Sequence, residues 1–130
     1  VTGDTTGVAP PEADVELTLT NAAIEGGDAV PAGVTTVAVH YQEHPEVGLG
    51  NDVHLARLDE GKSVEDAVAW TNWMVAEGLR APAPVEFLGG AQEMPVGYTS
   101  YLTVDLQPGR YVWLSEATDV DGLVKEFAVE

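Results

Sequence analysis

Three histidines lie within fifteen residues of each other, and they are the side chains of this chain best suited to bind a metal ion. The stretch HYQEHPEVGLGNDVH begins at His40 and ends at His54, with His44 between them. Imidazole is a good ligand for Cu(II) and Zn(II), and a turn at Pro45 would bring His44 back toward His54. The stretch therefore predicts a site for a transition metal, copper or zinc. The candidate ligands are His54, His44, His40, Asp52 and Met94.

The same residues also fit an acidic surface loop that holds no cofactor. Pro45 and the glycines that follow it interrupt the chain between two strand-like segments. A strand followed by a loop does not align His40 and His44 as a helix would, and methionine is commonly a gap filler at the edge of a core. Both interpretations, a metal site and unliganded histidines, stay open at this level.

The composition narrows the classes of partner. The chain has 130 residues and a formal net charge of −17, with only five lysines and arginines. Nucleic acid is excluded as a partner because phosphate binding requires a basic surface. The acidic surface raises the local concentration of cations, which would assist a role in metal binding. The partner we expect is a protein or a small ligand, whose identity the sequence does not indicate.

Cysteine is absent, and this excludes several chemistries at once. Without thiolates there is no disulfide, no thiol nucleophile and no strong sulfur ligand for a metal. The chain also contains no phosphate-binding loop, no serine-nucleophile motif and no spaced zinc motif. We therefore predict no catalytic residues, and a protein that is not an enzyme.

Strand-like segments make up most of the chain. Apolar and polar residues alternate, or β-branched residues cluster, in about seven short segments bounded by Gly and Pro turns. These segments are residues 13–20, 34–41, 53–58, 85–88, 98–106, 110–114 and 123–129. One helix interrupts them, because Ser63 with Asp66 forms a capping signature, apolar residues follow at helical spacing, and Gly78 is a natural stop. The pattern predicts an antiparallel β-sandwich with one α-helix at about residues 64–77.

The opening segment, VTGDTTGVAPPEA, is small and polar and contains proline. This composition is typical of a flexible tether that follows a removed signal or a lipid anchor. We expect residues 1–12 to be the tether and residues 13–130 to be the domain. Since no apolar run approaches the roughly 20 residues of a membrane span, no transmembrane segment is predicted. The expected location is extracytoplasmic: periplasmic, secreted or lipid-anchored.

The order of these segments resembles the cupredoxin-like superfamily, in its bacterial extracytoplasmic branch with an inserted helix. The two most specific segments are HLARLDEGKSVEDAV, from His54 to Val68, and DLQPGRYVWL, from Asp105 to Leu114. The resemblance covers about residues 13–130. It implies an all-β, antiparallel Greek-key sandwich with a copper pocket at one end.

The resemblance also implies a set of ligand positions. The usual copper ligands of the family are a His near the start of the strand before the helix, then a Cys, a second His and a Met. The first position falls at His54 or, by a two-residue shift, at Asp52, and the Cys position falls at about Ser115. Between Ser115 and Phe127 there is no His and no Met, so three of the four usual ligands are missing. A blue-copper electron-transfer centre requires the thiolate and is excluded.

Two functions follow as expectations. The first is a non-enzymatic, extracytoplasmic cupredoxin-like binding or structural domain without a type 1 copper site and without a cofactor. The alternative is a protein that binds or delivers copper or another transition metal through His54 with His40 or His44.

Overall fold

The computed structural model describes residues 9–46, 51–72, 80–117 and 121–130. The predicted tether lies outside these ranges except for residues 9–12, which are exposed and have no regular secondary structure. Residues 73–77 of the predicted helix also lie outside them. Within the described ranges the chain forms eight strands and one α-helix, and a short 3-10 turn, Asp121–Leu123, precedes the last strand. The elements are β1 (Val15–Leu19), β2 (Ile24–Gly26), β3 (Gly33–Tyr41), β4 (Val53–Leu58), α1 (Val64–Thr71), β5 (Val85–Ala91), β6 (Thr99–Leu106), β7 (Gly109–Leu114) and β8 (Val124–Val129).

The strands form two four-stranded sheets. The first sheet has the order β2-β1-β3-β6, and the second has the order β5-β4-β7-β8. All neighbouring strands are antiparallel except β1 and β3, which are parallel, with Val15 opposite Val37. The chain crosses between the sheets after β3, β5 and β6, in the manner of Greek-key sandwiches. The predicted β-sandwich with an inserted helix is confirmed.

The main core lies between the two sheets, where the alternating apolar residues meet. Val37 and Val39 of β3 are fully buried, and Tyr41 is almost so, as the alternation predicts. Trp113 of β7 is also fully buried, and its ring stacks on Phe127 of β8 with centroids 5.1 Å apart. Aromatic rings bury large areas, so this stack is a major contributor to the core.

A second, smaller cluster lies on the outer face of the second sheet, under the helix. Helix α1 begins after Ser63, whose hydroxyl accepts from the Asp66 N–H while the Asp66 carboxylate accepts from the Ser63 N–H, so the predicted capping signature is confirmed. Ala67 of the helix is fully buried in a cluster with Ala56 and Leu58 of β4. The helix thus packs on the later part of β4, and the first part of the strand stays partly open to solvent.

Candidate functional site

The start of β4 and the residues just after β7 bring three potential metal ligands together. Val53 and Leu55 point into the main core, so Asp52 and His54 lie on the opposite face of the second sheet, where both are partly buried. Strand β7 is the antiparallel neighbour of β4, and His54 pairs with Leu114. Asp52 lies two residues before His54 and Glu116 two residues after Leu114, so the same antiparallel register places them opposite each other, and the Glu116 N–H donates to the Asp52 carboxylate. One ligand atom from each of Asp52, His54 and Glu116 lies within 4.8 Å of the other two.

The Asp52 carboxylate is the centre of this group. Its Oδ2 accepts a hydrogen bond from Nε2 of His54 at 2.9 Å. Its Oδ1 accepts from the Ser115 hydroxyl and from the Glu116 N–H, each at 2.9 Å. Ser115 is fully buried, and its Oγ also accepts from the Ala117 N–H at 3.2 Å. The carboxylate is therefore held in one orientation by groups on both strands.

The orientation of the His54 ring is set by its neighbours. The ring packs edge-on against Phe87 of β5, with centroids 6.2 Å apart. Gly90 lies beside Nδ1: a Cβ added at Gly90 would approach that nitrogen to 3.4 Å and the Val53 carbonyl to 2.5 Å. These contacts turn Nε2 toward the two carboxylates, and Nε2 lies 3.7 Å from the nearer Glu116 oxygen.

The three groups perturb one another's protonation. The hydrogen bond that His54 donates to Asp52 raises the pKa of His54, and the negative charges of Asp52 and Glu116 raise it further against the opposing effect of burial. Burial would raise the pKa of Asp52, but hydrogen bonds from His54, the Glu116 N–H and Ser115 outweigh it, so the pKa of Asp52 is lowered. At mildly acidic pH the metal-free site therefore holds an imidazolium–carboxylate ion pair.

The stability of the metal-free protein should depend on pH through this pair. Because the pKa of His54 is raised, its contribution is complete below the ordinary value of 6.5 and is lost as the pH rises through the folded value. Because the pKa of Asp52 is lowered, its contribution is complete above the ordinary value of 3.8 and is lost as the pH falls through the folded value. We expect the difference in unfolding free energy between wild type and His54→Gln to be largest between about pH 4 and pH 6.5.

Urea titrations of both proteins in chelator, at intervals from pH 3 to pH 9, would measure that difference. The matched comparison measures the effect of His54→Gln in a protein that also carries Asp52→Asn, where most of the pH dependence should disappear. If wild type and His54→Gln, both with the native Asp52, differ in unfolding free energy by the same amount at every pH, the prediction is contradicted.

The other predicted ligands lie elsewhere. His40 is on β3 of the first sheet, where Nδ1 hydrogen-bonds with Thr99 Oγ1 at 3.0 Å and Nε2 with Glu16 Oε1 at 3.2 Å. Both of its ring nitrogens are thus engaged on the outer face of that sheet. His54 belongs to the second sheet, so the fold does not bring these two histidines together.

His44 and Met94 have contacts of their own. The Nδ1 of His44 accepts from the Asn51 N–H at 2.9 Å, so this ring helps to close the loop that leads into β4. Met94 is partly buried and packs against the main core. Among the described residues, the three-ligand group of Asp52, His54 and Glu116 includes neither His40 nor His44. A role of His44 or Met94 in metal binding stays a prediction.

Two residues of the site were not predicted as part of it. Glu116 was not a candidate ligand, and Ser115 was considered only as the residue at the family's Cys position. The strand pairing is the signal that would have found them, since aligning β4 antiparallel to β7 puts Glu116 opposite Asp52. The position that the resemblance assigns to the thiolate thus holds a buried hydroxyl that donates to Asp52.

The fully buried Asn51 is also part of this end of the sandwich. Its side-chain nitrogen donates to the Thr20 and Glu43 carbonyls, both at 2.7 Å, and so ties the loop to β1. Its Oδ1 has no hydrogen-bond partner among the described protein groups. This residue anchors the chain immediately before Asp52.

Comparison with known proteins shows the fold. No family model and no curated protein matches the chain. Among solved structures it is similar to a dithionite-reduced auracyanin from Roseiflexus castenholzii, with 17% identity, coverage of 88% of this chain and 94% of that one, and a TM-score of 0.58. It is also similar to an azurin from Methylomonas sp. strain J, with 13% identity, coverage of 88% and 95%, and a TM-score of 0.59.

A third similar structure is rusticyanin from Thiobacillus ferrooxidans, with 14% identity, coverage of 89% and 75%, and a TM-score of 0.51. The fold is cupredoxin-like, as the resemblance implied, and the chain lacks the cysteine of the usual copper site. Among the described residues, no helix is long and apolar enough to cross a membrane.

Proposed function

We propose that this cupredoxin-like chain is a non-enzymatic, extracytoplasmic binding domain that binds a divalent transition-metal ion at the start of β4 and does not transfer electrons. The observation that supports the proposal is the convergence of Asp52, His54 and Glu116, with one ligand atom from each within 4.8 Å of the others. Imidazole with carboxylates is a donor set that suits zinc and copper(II). In this proposal the ligand bound at the start of β4 is the metal ion.

The chemistry of the donors separates this role from electron transfer. A type 1 copper centre owes its strongly covalent bond to a thiolate, and this chain has no cysteine. The hydroxyl of Ser115, at the corresponding position, donates to a carboxylate and is a poor ligand for a soft ion. Nitrogen and oxygen donors favour an ion in its divalent state, which suits binding or delivery.

The surrounding charge assists such a role. The formal net charge of −17 attracts cations to the surface of the domain. The side chains of His54 and Glu116 are 34% and 41% exposed, so an ion from solvent reaches their ligand atoms without an opening of the core. The extracytoplasmic location rests on the tether-like opening segment and on the resemblance to the extracytoplasmic branch of the superfamily.

A second candidate is a structural or binding domain that uses no metal and binds a protein or a small ligand. The observation in its favour is that Asp52 already has three hydrogen-bond partners, in His54, Ser115 and the Glu116 N–H. The site is therefore satisfied without an ion. In this case the hydrogen bonds serve only to hold β4 and β7 together.

Calorimetric titration with Zn²⁺ and with Cu²⁺ separates the two candidates. For the wild type we expect one ion per chain with a submicromolar dissociation constant, and for His54→Ala we expect no measurable binding in that range. His40→Ala is the matched control, because it removes the same side chain from the other sheet and should leave the affinity unchanged. Weak binding that is insensitive to His54→Ala would reject the metal role and leave the structural one.

A further inference from the structure

Asp52 has its two oxygens in different environments, and this difference bears on the kind of ion the site would accept. Oδ1 is occupied by two donors, the Ser115 hydroxyl and the Glu116 N–H. In the part of the chain that the structure describes, the hydrogen bond to Oδ2 comes from Nε2 of the His54 ring. A metal ion that displaces the proton between Nε2 and Oδ2 would meet one oxygen of Asp52 and not both.

We propose that Ser115 is a positioning residue that holds Asp52 for ligation through Oδ2 alone, and that the site thereby selects an ion of the zinc class over calcium and magnesium. This inference rests on the proposed metal-binding function. It assigns the protein ligands as Asp52 Oδ2, His54 Nε2 and Glu116 Oε1. Ser115 does not contact the ion and acts through the Asp52 carboxylate.

The distances fit such an ion. Ligand atoms about 2.0–2.1 Å from a tetrahedral zinc are roughly 3.3 Å from each other. Nε2 of His54 lies 2.9 Å from Asp52 Oδ2 and 3.7 Å from Glu116 Oε1, which brackets that value. Glu116 follows the end of β7 and its side chain is 41% exposed, so its carboxylate has room to turn toward a bound ion. The three protein ligands leave a fourth position toward solvent for water or another small ligand.

The same geometry disfavours calcium and magnesium. Calcium takes six to eight oxygen ligands and often binds a carboxylate through both oxygens, whereas magnesium requires octahedral oxygen coordination. Among the described residues, the site offers two carboxylates, one of them with Oδ1 already engaged, and the third donor is an imidazole nitrogen. A zinc-class ion accepts this nitrogen and a low coordination number.

A hydrogen bond that orients a metal-binding side chain has a measurable effect on metal affinity. Removing the group that orients a metal-binding side chain typically weakens metal binding by about 10–100-fold. Ser115 is fully buried, so its hydroxyl is fixed and no water takes its place without rearrangement. In Ser115→Ala the Asp52 Oδ1 loses one of its two donors and keeps the Glu116 N–H, so the carboxylate is held less firmly in its orientation.

The test compares wild type, Ser115→Ala, Ser115→Thr and His54→Ala, each titrated with Zn²⁺ and with Ca²⁺. We expect Ser115→Ala to weaken Zn²⁺ binding by about 10–100-fold and to reduce the preference for Zn²⁺ over Ca²⁺. Ser115→Thr keeps the hydroxyl, so it should retain more of the Zn²⁺ affinity and more of the preference for Zn²⁺. The visible absorption of bound Co²⁺ is the second measurement, because its intensity falls as the coordination number rises. A purely structural role of Ser115 would lower the melting temperature without changing that spectrum.

The outcomes distinguish the inference from the function on which it rests. If the wild type binds Zn²⁺ and His54→Ala does not, the proposed function stands. An unchanged Zn²⁺ affinity, ion preference and Co²⁺ spectrum in a folded Ser115→Ala protein would then overturn the inference alone. A wild type that binds neither Zn²⁺ nor Cu²⁺ would overturn both.

Discussion

Asp52→Ala is expected to destabilise the metal-free protein by about 2–3 kcal/mol and to abolish high-affinity metal binding. The substitution leaves the buried Ser115 hydroxyl without its acceptor and removes a charge-assisted hydrogen bond from the Glu116 N–H. A hydrogen bond to a charged group contributes about 1.5–3 kcal/mol, and an unsatisfied buried polar group costs about 1–3 kcal/mol. Because the same carboxylate is a proposed ligand, Zn²⁺ affinity should fall by more than about a hundredfold, beyond the loss expected for an orienting neighbour.

The comparison of Asp52→Ala with Asp52→Asn separates these two effects. The amide keeps a carbonyl oxygen that can accept from Ser115 and from the Glu116 N–H, so much of the stability should be retained. The amide is a weaker ligand than a carboxylate for a zinc-class ion, so the affinity for Zn²⁺ should still be low. Stability and metal binding would then respond differently to the two substitutions at one position.

Urea denaturation in chelator measures the stability difference, and calorimetry with Zn²⁺ measures the affinity. Asp105→Ala is the matched control, since it removes an exposed carboxylate from β6 and changes the net charge by the same amount. The control is needed because removing one negative charge from a chain with a net charge of −17 relieves some electrostatic repulsion, apart from any loss of hydrogen bonds. Equal stability of Asp52→Ala and Asp105→Ala would refute the prediction.

Trp113→Ala is expected to have the largest effect on the fold itself, about 3–5 kcal/mol. The indole is fully buried between the sheets and stacks on Phe127. Its Nε1–H donates to the Gly27 carbonyl at 3.3 Å, which fastens the segment after β2 to the second sheet. Gly27 has a φ of 70°, and a Cβ there would come within 2.7 Å of Nε1, so this backbone approach requires glycine.

Trp113→Phe keeps an aromatic ring for the stack but loses the donor and part of the volume, so its cost should be smaller than that of alanine. Tyr98→Ala is the control, because the Tyr98 side chain is 55% exposed and a surface substitution usually changes stability by less than about 0.5 kcal/mol. Far-UV circular dichroism during urea denaturation follows all three variants without relying on the indole that is removed. A Trp113→Ala protein as stable as Tyr98→Ala would show that the indole is not central to the core.

Local patterns predicted the elements well because the physical causes are themselves local. The capping pair Ser63 and Asp66 marks the start of α1, and the alternation of Val37 and Val39 marks the buried face of β3. The two-residue spacing of Asp52 and His54 places them on the same face of β4. Each of these depends only on neighbours along the chain.

The pairing between strands could not be predicted from such local patterns. The parallel pairing of β1 with β3 depends on which sheet each strand joins, and the alternation of one strand does not encode its partner. The same limit explains why His40 was grouped with His54. The two are close in sequence, but the chain crosses from the first sheet to the second between them.

The sequence by itself determined that the chain is an acidic β-sandwich with one helix and that it has no thiolate chemistry. It also singled out Asp52 and His54 as adjacent candidates on one strand. Only the tertiary structure decided their partners: it placed Glu116 opposite Asp52, put Ser115 beneath the carboxylate, and assigned His40 to the other sheet. The physical reason is that donor types and strand periodicity are written along the chain, whereas the pairing of β4 with β7, two strands far apart in sequence, is set by the tertiary fold.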